Sequence, residues 1–415
     1  MKSKIINSSI YLFYLIPIFL ISGPALSDIS LSLLSLLGIY FYIDKKEIIF
    51  NNKTLKLFSL FSLLFLILLL LSGLFAHNIK ISLTHGLLFI RFFLFCVAVF
   101  FLIEKNFIKV NKFLYYILTT VLIILSVDGI YEYFFQTNIF STSTNAYMQN
   151  RISGLFGKEW IIGLYTVKFI SLYIYLFFTG LKKNLYIFSI TLFLSYILIF
   201  LSGERAALIL SLIPILILFF FIKLSRKYIY LVILFFIIII FLINFLDNSS
   251  FDRLKLIINP SEKYIKMYEV SFKIFLNSPF FGEGIFSYRH LCDNIIFSSH
   301  GDTACSTHPH NIYLQLLAES GIFCFATVFA VFIISLVKVI KDLCFSIKEL
   351  SPFIFLCSSV IVNLFPLLPS LNFFYNWHNI IIFFPVPFIL FEITKKDSGS
   401  LGRTRTATGI NPTGF

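Results

Sequence analysis

Long apolar runs broken by short polar interruptions set the rhythm of this chain. The stretch 57–75 reads "LFSLFSLLFLILLLLSGLF", and 228–246 is similar in length and greasiness. Runs of this kind approach the roughly 20 residues that cross a bilayer core as a helix, and no water at that depth satisfies an irregular backbone. The pattern predicts about twelve spans, near 8–26, 28–43, 57–75, 83–103, 113–136, 161–180, 184–202, 206–222, 228–247, 310–337, 351–369 and 373–393. The expected fold is therefore all-α and polytopic, one transmembrane domain over 1–396. Two connections on the outer side, 137–160 and 247–309, exceed ordinary loop length and are candidates for function. In the second, which lies between spans 9 and 10, Tyr264, Tyr268, Phe272 and Phe275 recur at helical spacing between charged residues, predicting an amphipathic helix on the membrane surface. Pro279 and the pair Gly282 and Gly284 should end it. After Lys396 the chain turns to Gly, Ser and Thr, so 397–415 reads as a disordered cytoplasmic tail.

Composition agrees: 59% hydrophobic residues, 13% charged and a mean hydropathy of +0.93 exclude a soluble globule. The formal net charge of +13 would suit a nucleic-acid binder. Its distribution does not, because most of the 33 Lys and Arg fall in the segments that face the cytoplasm when the N-terminus does. Anionic lipid headgroups are the partners of that excess, and no nucleic acid is expected. The basic start and the small residues at 25–27 fit a signal peptide weakly; the apolar stretch is long, favouring an uncleaved first span.

Arginine is placed differently from lysine. Arg91, Arg151, Arg205, Arg253 and Arg289 all fall toward the outer side, where Lys would serve equally well as a topological charge. A planar fork is what holds phosphate bidentately, so the cluster points to a lipid phosphate or pyrophosphate. The bland alternatives are a snorkelling Arg205 paired with Glu204, solvated loop charges at Arg151 and Arg253, and a buried tie at Arg91. Asp128 and Glu132 are candidate partners for one of them, or are merely solvated at the interface. Cys292 and Cys305 share the long outer loop, and an oxidising periplasm permits a bridge between them. Neither their spacing nor that of His300, His308 and His310 follows a zinc pattern; no metal and no cofactor are expected.

The stretch "STHPHNIYLQLLAESG", 306–321, puts two histidines at the mouth of the tenth span. Pro309 suits a first helical position with Thr307 or His308 as cap, which would set His310 in the first turn. Asn311, Gln315 and Glu319 then form a polar stripe every four residues. The positive helix end and nearby arginines should keep His310 neutral, as a general base for a sugar hydroxyl requires.

These residues carry a resemblance. "HPHNIYLQLLAESG" resembles the signature of the bacterial O-antigen ligase and O-antigen polymerase superfamily, His-Asn followed by Gly, here His310, Asn311 and Gly321. "RISGLFG", "LSGERAALIL" and "NSPFFGEGIFSY" are similar to further family segments in the same order, so the likeness covers about 140–325. The resemblance implies a GT-C-like glycosyltransferase of the bacterial inner membrane that moves a glycan from undecaprenyl pyrophosphate to an acceptor at the periplasmic face. It also implies roles: His310 and Arg205 catalytic, with Arg151, Arg253, Lys263, Asn311 and Arg91 around donor or acceptor. Which of Arg253, Lys263 and Lys266 supplies the loop cation stays open. Ligation to lipid A–core is the first expectation. Ile322, Phe323, Cys324 and Phe325 depart from the ligase pattern and leave room for a glycan polymerase or a protein O-oligosaccharyltransferase. A polysaccharide transporter fits less well, since the unusual polar groups gather at one face rather than at mid-depth.

Overall fold

The computed structural model describes residues 2–140, 151–180, 184–222, 262–298, 304–345 and 350–397. The expected span at 228–247, Arg253, His300 and all but the first residue of the tail fall outside them. The described helices are α1 (Lys2–Phe19), α2 (Pro24–Asp44), α3 (Lys46–Asn51), α4 (Lys53–Leu74), α5 (Ile79–Leu88), α6 (Ile90–Lys105), α7 (Phe107–Phe135) and α8 (Ile162–Thr179). They continue with α9 (Leu185–Leu201), α10 (Arg205–Phe221), α11 (Glu262–Asn277), α12 (Tyr288–Leu291), α13 (Ile312–Phe345), α14 (Phe353–Asn363), α15 (Asn376–Phe383) and α16 (Val386–Asp397). The described fold is all-helical. Seven stretches among these residues are long and apolar enough to cross a membrane, and four shorter apolar helices accompany them.

Asparagine starts several of these helices. Asn52, Asn78 and Asn184 each accept a first-turn N–H, from Leu55 at 3.0 Å, Ile81 at 3.2 Å and Tyr186 at 2.9 Å. That satisfies donors which lipid would leave bare.

The chain divides into two compact units. One comprises Met1–Val110, Ser261–Ile334 and Asn363–Thr404. Its core is aromatic: Phe13 stacks on Phe384 with centroids 4.9 Å apart, and Phe92 on Phe383 at 5.3 Å. Helix α2 lies so close to α6 that a Cβ on Gly38 would sit 2.2 Å from the Leu94 carbonyl oxygen. The other unit comprises Asn111–Pro260, Ser335–Val362 and Arg405–Phe415. There α8 is the buried axis, with Tyr173 stacked on Tyr115 at 5.1 Å and Ser171 hydrogen-bonded to Ser358 at 2.9 Å.

Three expectations change. The span expected at 351–369 is helical only to Asn363, because Pro366 and Pro369 cannot continue the ladder and bias their predecessors away from helix. The amphipathic helix forms as α11, but its buried stripe is Met267, Val270, Ser271 and Ile274. Phe272 points outward at 48% exposure, since the pattern of aromatics runs one position around from the stripe that packs on Tyr288 and Leu291. The tenth span starts at Ile312, not His310, and is broken at Gly321.

Candidate functional site

The break at Gly321 is what docks the outer segment. Gly321 has φ 76° and ψ 179°, and in place of intrahelical partners the carbonyls of Ala318 and Glu319 accept the N–H groups of Glu283 and Gly284, both at 2.9 Å. Ile322 N–H donates to Pro279 at 2.9 Å. A Cβ on Gly321 would meet the Phe280 oxygen at 2.2 Å, and one on Gly282 the Glu319 carbonyl carbon at 2.6 Å. Two of the sequence motifs therefore clasp each other backbone to backbone.

The polar stripe on α13 completes the frame. The Asn311 side chain, not Thr307 or His308, caps the helix, accepting from Tyr313 N–H at 3.0 Å and Leu314 N–H at 3.1 Å. Its amide donates to the Pro366 carbonyl at 2.8 Å. Gln315 donates to Glu319 and to Asn372, each at 2.9 Å, and accepts from Phe373 N–H. The Glu319 carboxylate also takes the Tyr288 N–H at 3.2 Å. All three thus pin the irregular segments 364–375 and 285–288, a use of irregular backbone that membrane depth tolerates only when each group is satisfied.

His310 sits just outside this frame with a left-handed backbone, φ 55°. Its carbonyl accepts the Ser370 N–H at 2.8 Å, and its Nε2 lies 3.3 Å from Ser306 Oγ. Tyr264 of α11 meets the ring edge-on at 5.6 Å, and His308 lies 4.2 Å away. Burial, then the positive charge of Lys263, holds the His310 imidazole below its ordinary pKa. The neutrality expected for it therefore has a different cause from the helix end and the arginines. His308 is more deeply buried and is pushed down to about 3, mainly by desolvation and then by His310.

Arg289, Tyr375 and Ser370 also belong here, and only Arg289 had any signal in the sequence, as one of the outward arginines. Its Nη2 donates to the Tyr375 hydroxyl at 3.1 Å and, at 3.4 Å, to the Thr307 carbonyl. Cys292 and Cys305 are bridged, with Cα atoms 5.2 Å apart. They form, with Asp293, a grouping of potential metal ligands among the described residues, and the bridge occupies both sulfurs. Arg91 is committed within the fold: it pairs with Asp28 at 3.1 Å and donates to Ser32 at 2.9 Å and Asn376 at 3.4 Å, tying α2, α6 and α15.

Arg151 and Arg205 belong to the second unit. Glu204 does not pair with Arg205 there; its carboxylate accepts the Gly163 N–H at 2.6 Å and the Leu164 N–H at 3.1 Å, capping α8. Burial raises the Glu204 carboxyl to about 7 against the pull of the Gly163 N–H and Arg151. The Arg151 guanidinium lies 5.3 Å over Trp160, with its Nε buried and without a partner among the described residues. Arg205, half-buried at the start of α10, has no hydrogen-bond or ion-pair partner among the described residues. Glu132 and Asp128 are buried rather than solvated, accepting backbone N–H groups of Ser153 and Gly154, and of Ile139, respectively.

A family model described as O-Antigen ligase matches residues 190–329. That stretch runs from α9 through the clasp at Gly321 and includes Arg205, Arg253, Lys263, Arg289, His310 and Asn311. No curated protein matches the chain.

Proposed function

We propose, from the likeness of residues 190–329 to the O-antigen ligase family model, that this chain transfers a glycan from undecaprenyl pyrophosphate to the lipid A–core of lipopolysaccharide. The acceptor hydroxyl oxygen attacks the anomeric carbon of the first sugar while the bond from that carbon to the pyrophosphate oxygen breaks. The hydroxyl proton passes to His310, and the bonding pair leaves with the pyrophosphate. Arg205 and Arg151 neutralise the charge that grows there, together with one cation of the long loop, Arg253, Lys263 or Lys266. Cations already positioned where charge develops lower a barrier without reorganising in the act. In this reading no metal or nucleotide sugar takes part, the fold is of the GT-C kind with about twelve spans over 1–396, and the chemistry lies at the periplasmic face of the inner membrane. Asn311 acts by holding His310 at the helix mouth, and Arg91 by bracing the helices behind it.

One observation carries the reading: a neutral, half-buried imidazole held in a left-handed turn outside its helix, within the matched segment. Arg205, a guanidinium with no partner among the described residues, supports it. The test is transfer by the purified chain in lipid nanodiscs, given lipid-linked glycan and lipid A–core. Wild type forms the joined product, and His310→Ala loses about a hundredfold or more in rate while keeping its melting temperature. Full activity in that variant removes the base assignment. The residues Ile322–Phe325, which depart from the ligase pattern, favour polymerisation as second reading; elongation on the carrier without transfer to lipid A–core selects it, and transfer to a protein acceptor selects O-glycosylation.

A further inference from the structure

Beside the histidines lies an open cleft of about 420 Å³ that none of the roles above uses. Its size is within the range of about 300–1,000 Å³ typical of small-ligand sites. Phe286, Phe374 and Tyr375 supply aromatic walls, and Arg289, His85 and Asn376 the polar ones. No Asp or Glu is among the lining residues, and among the described residues Arg289 has no carboxylate within ion-pairing distance. Its Nε is buried with no acceptor among the described residues, although Nη2 is anchored to Tyr375 and Thr307.

Phe286 gives a second, independent sign of function. It has φ 65°, a left-handed backbone that a bulky side chain adopts only under constraint. The Glu319 carboxylate, bonded to the Phe286 and Tyr288 N–H groups, holds the turn in place. The ring it aims lies 4.8 Å under the Arg289 guanidinium, edge-on to His85 at 4.7 Å. One neighbour links the cleft to His310: Tyr375 lies 6.4 Å from the His308 ring, and His308 lies 4.2 Å from His310.

We propose that this cleft seats an anionic sugar of the acceptor glycan, its apolar ring face against Phe286 and Tyr375 and its phosphoryl or carboxylate group on the free side of the Arg289 fork. The inference deepens the glycosyl-transfer reading and rests on it for the word acceptor. The cleft presents a guanidinium with donors to spare, which takes a pair of oxyanion oxygens. Beside it stand rings whose electron-rich faces suit the C–H side of a pyranose. A sugar held here lies two side chains, Tyr375 and His308, from the proposed base.

Calorimetry on the full chain in nanodiscs tests the site without requiring turnover, with glucose 6-phosphate, glucuronate, glucose and inorganic phosphate as probes. The expected result is that one charged sugar binds at least about tenfold more tightly than glucose or phosphate alone. Arg289→Ala removes that preference, Arg289→Lys restores only part of it, and Tyr375→Phe, a variant that keeps the ring, lowers it by about threefold. Lys273→Gln, on the outer face of α11, leaves it unchanged as a charge control. Preference for glucose 6-phosphate assigns a phosphorylated sugar and preference for glucuronate a uronic acid. Equal binding of glucose, equal binding of bare phosphate, or full retention in Arg289→Ala overturns the proposal. In the transfer assay Arg289→Ala should raise KM for the acceptor about tenfold, leave KM for the lipid-linked donor alone and change kcat little. If wild type transfers nothing to any acceptor the functional reading fails, whereas calorimetry still decides the cleft.

Discussion

Two imidazoles with centroids 4.2 Å apart resist holding two protons, and the partners of His308 show which form it takes. Its Nε2 faces the Ser370 carbonyl at 3.2 Å, which only accepts, so the ring proton sits there and Nδ1 accepts from the Thr307 hydroxyl at 3.0 Å. Because the folded protein refuses this proton until near pH 3, while an unfolded histidine takes it near 6.5, stability is complete above about pH 6.5 and drains away as the pH falls through that window. The slope from one such group approaches about 1.4 kcal/mol per pH unit. His308→Gln should flatten the acid limb of a melting-temperature-against-pH curve in detergent, and an unchanged limb would show that His308 is not its source. His310, also held low, should leave transfer flat above neutrality with its acid limb below pH 6.5; a limb centred above 7 would contradict a neutral resting base. At Arg205 the demand is for a fork, so Arg205→Lys should keep the charge yet lose most of kcat; full rescue by Lys would mean that charge suffices.

At the level of elements, the Gly321 break and the Pro279–Gly284 turn form a single device. Gly321→Ala places a methyl 2.2 Å from a carbonyl oxygen at a backbone angle that side chains avoid, and should cost more than about 2 kcal/mol, read as a loss of melting temperature together with transfer. Asn311→Ala removes a cap and the bond to Pro366, and should cost about 1–2 kcal/mol; Asn311→Asp keeps the cap alone and should fall between. The Cys292–Cys305 bridge closes a short loop beside the histidines, with a sequence separation of 13. A loop of that size is stabilised by about 3 kcal/mol in the chain-entropy view. Reduction should therefore lower the melting temperature of the wild type and leave a Cys292→Ser, Cys305→Ser variant unmoved.

For the whole molecule the strongest sequence inference was the charge asymmetry of its connections, and it predicts an orientation that labelling can read. In a background with the free cysteines removed, a cysteine at exposed Thr307 should react with a membrane-impermeant reagent added outside intact spheroplasts, and one at exposed Lys341 only after lysis. The reverse pattern would turn the site toward the cytoplasm and end the proposed chemistry. The two compact units divide the predicted residues, His310, Asn311, Lys263 and Arg91 in one, Arg151 and Arg205 in the other.

Hydropathy alone determined that this chain is helical and bound for a membrane, because each span satisfies its own backbone and needs no distant partner to do so. That a helix begins near His310 was legible for a related reason, since a helix start is a local event, but its cap at Asn311 and its break at Gly321 were not. What distant segments do to one another was not legible. The polar stripe of Asn311, Gln315 and Glu319 has the period of a substrate-facing surface, yet tertiary contacts spend it on carbonyls and amides of 285–288 and 364–375. Glu204 looked like a partner for its neighbour Arg205 and instead caps α8. Arg289 became a site residue only when folding brought Tyr375 and Phe286 to it. A hydrogen bond between residues far apart in the chain leaves no periodic trace, so only the folded arrangement decides which polar groups are consumed by the scaffold and which stay free to meet a ligand.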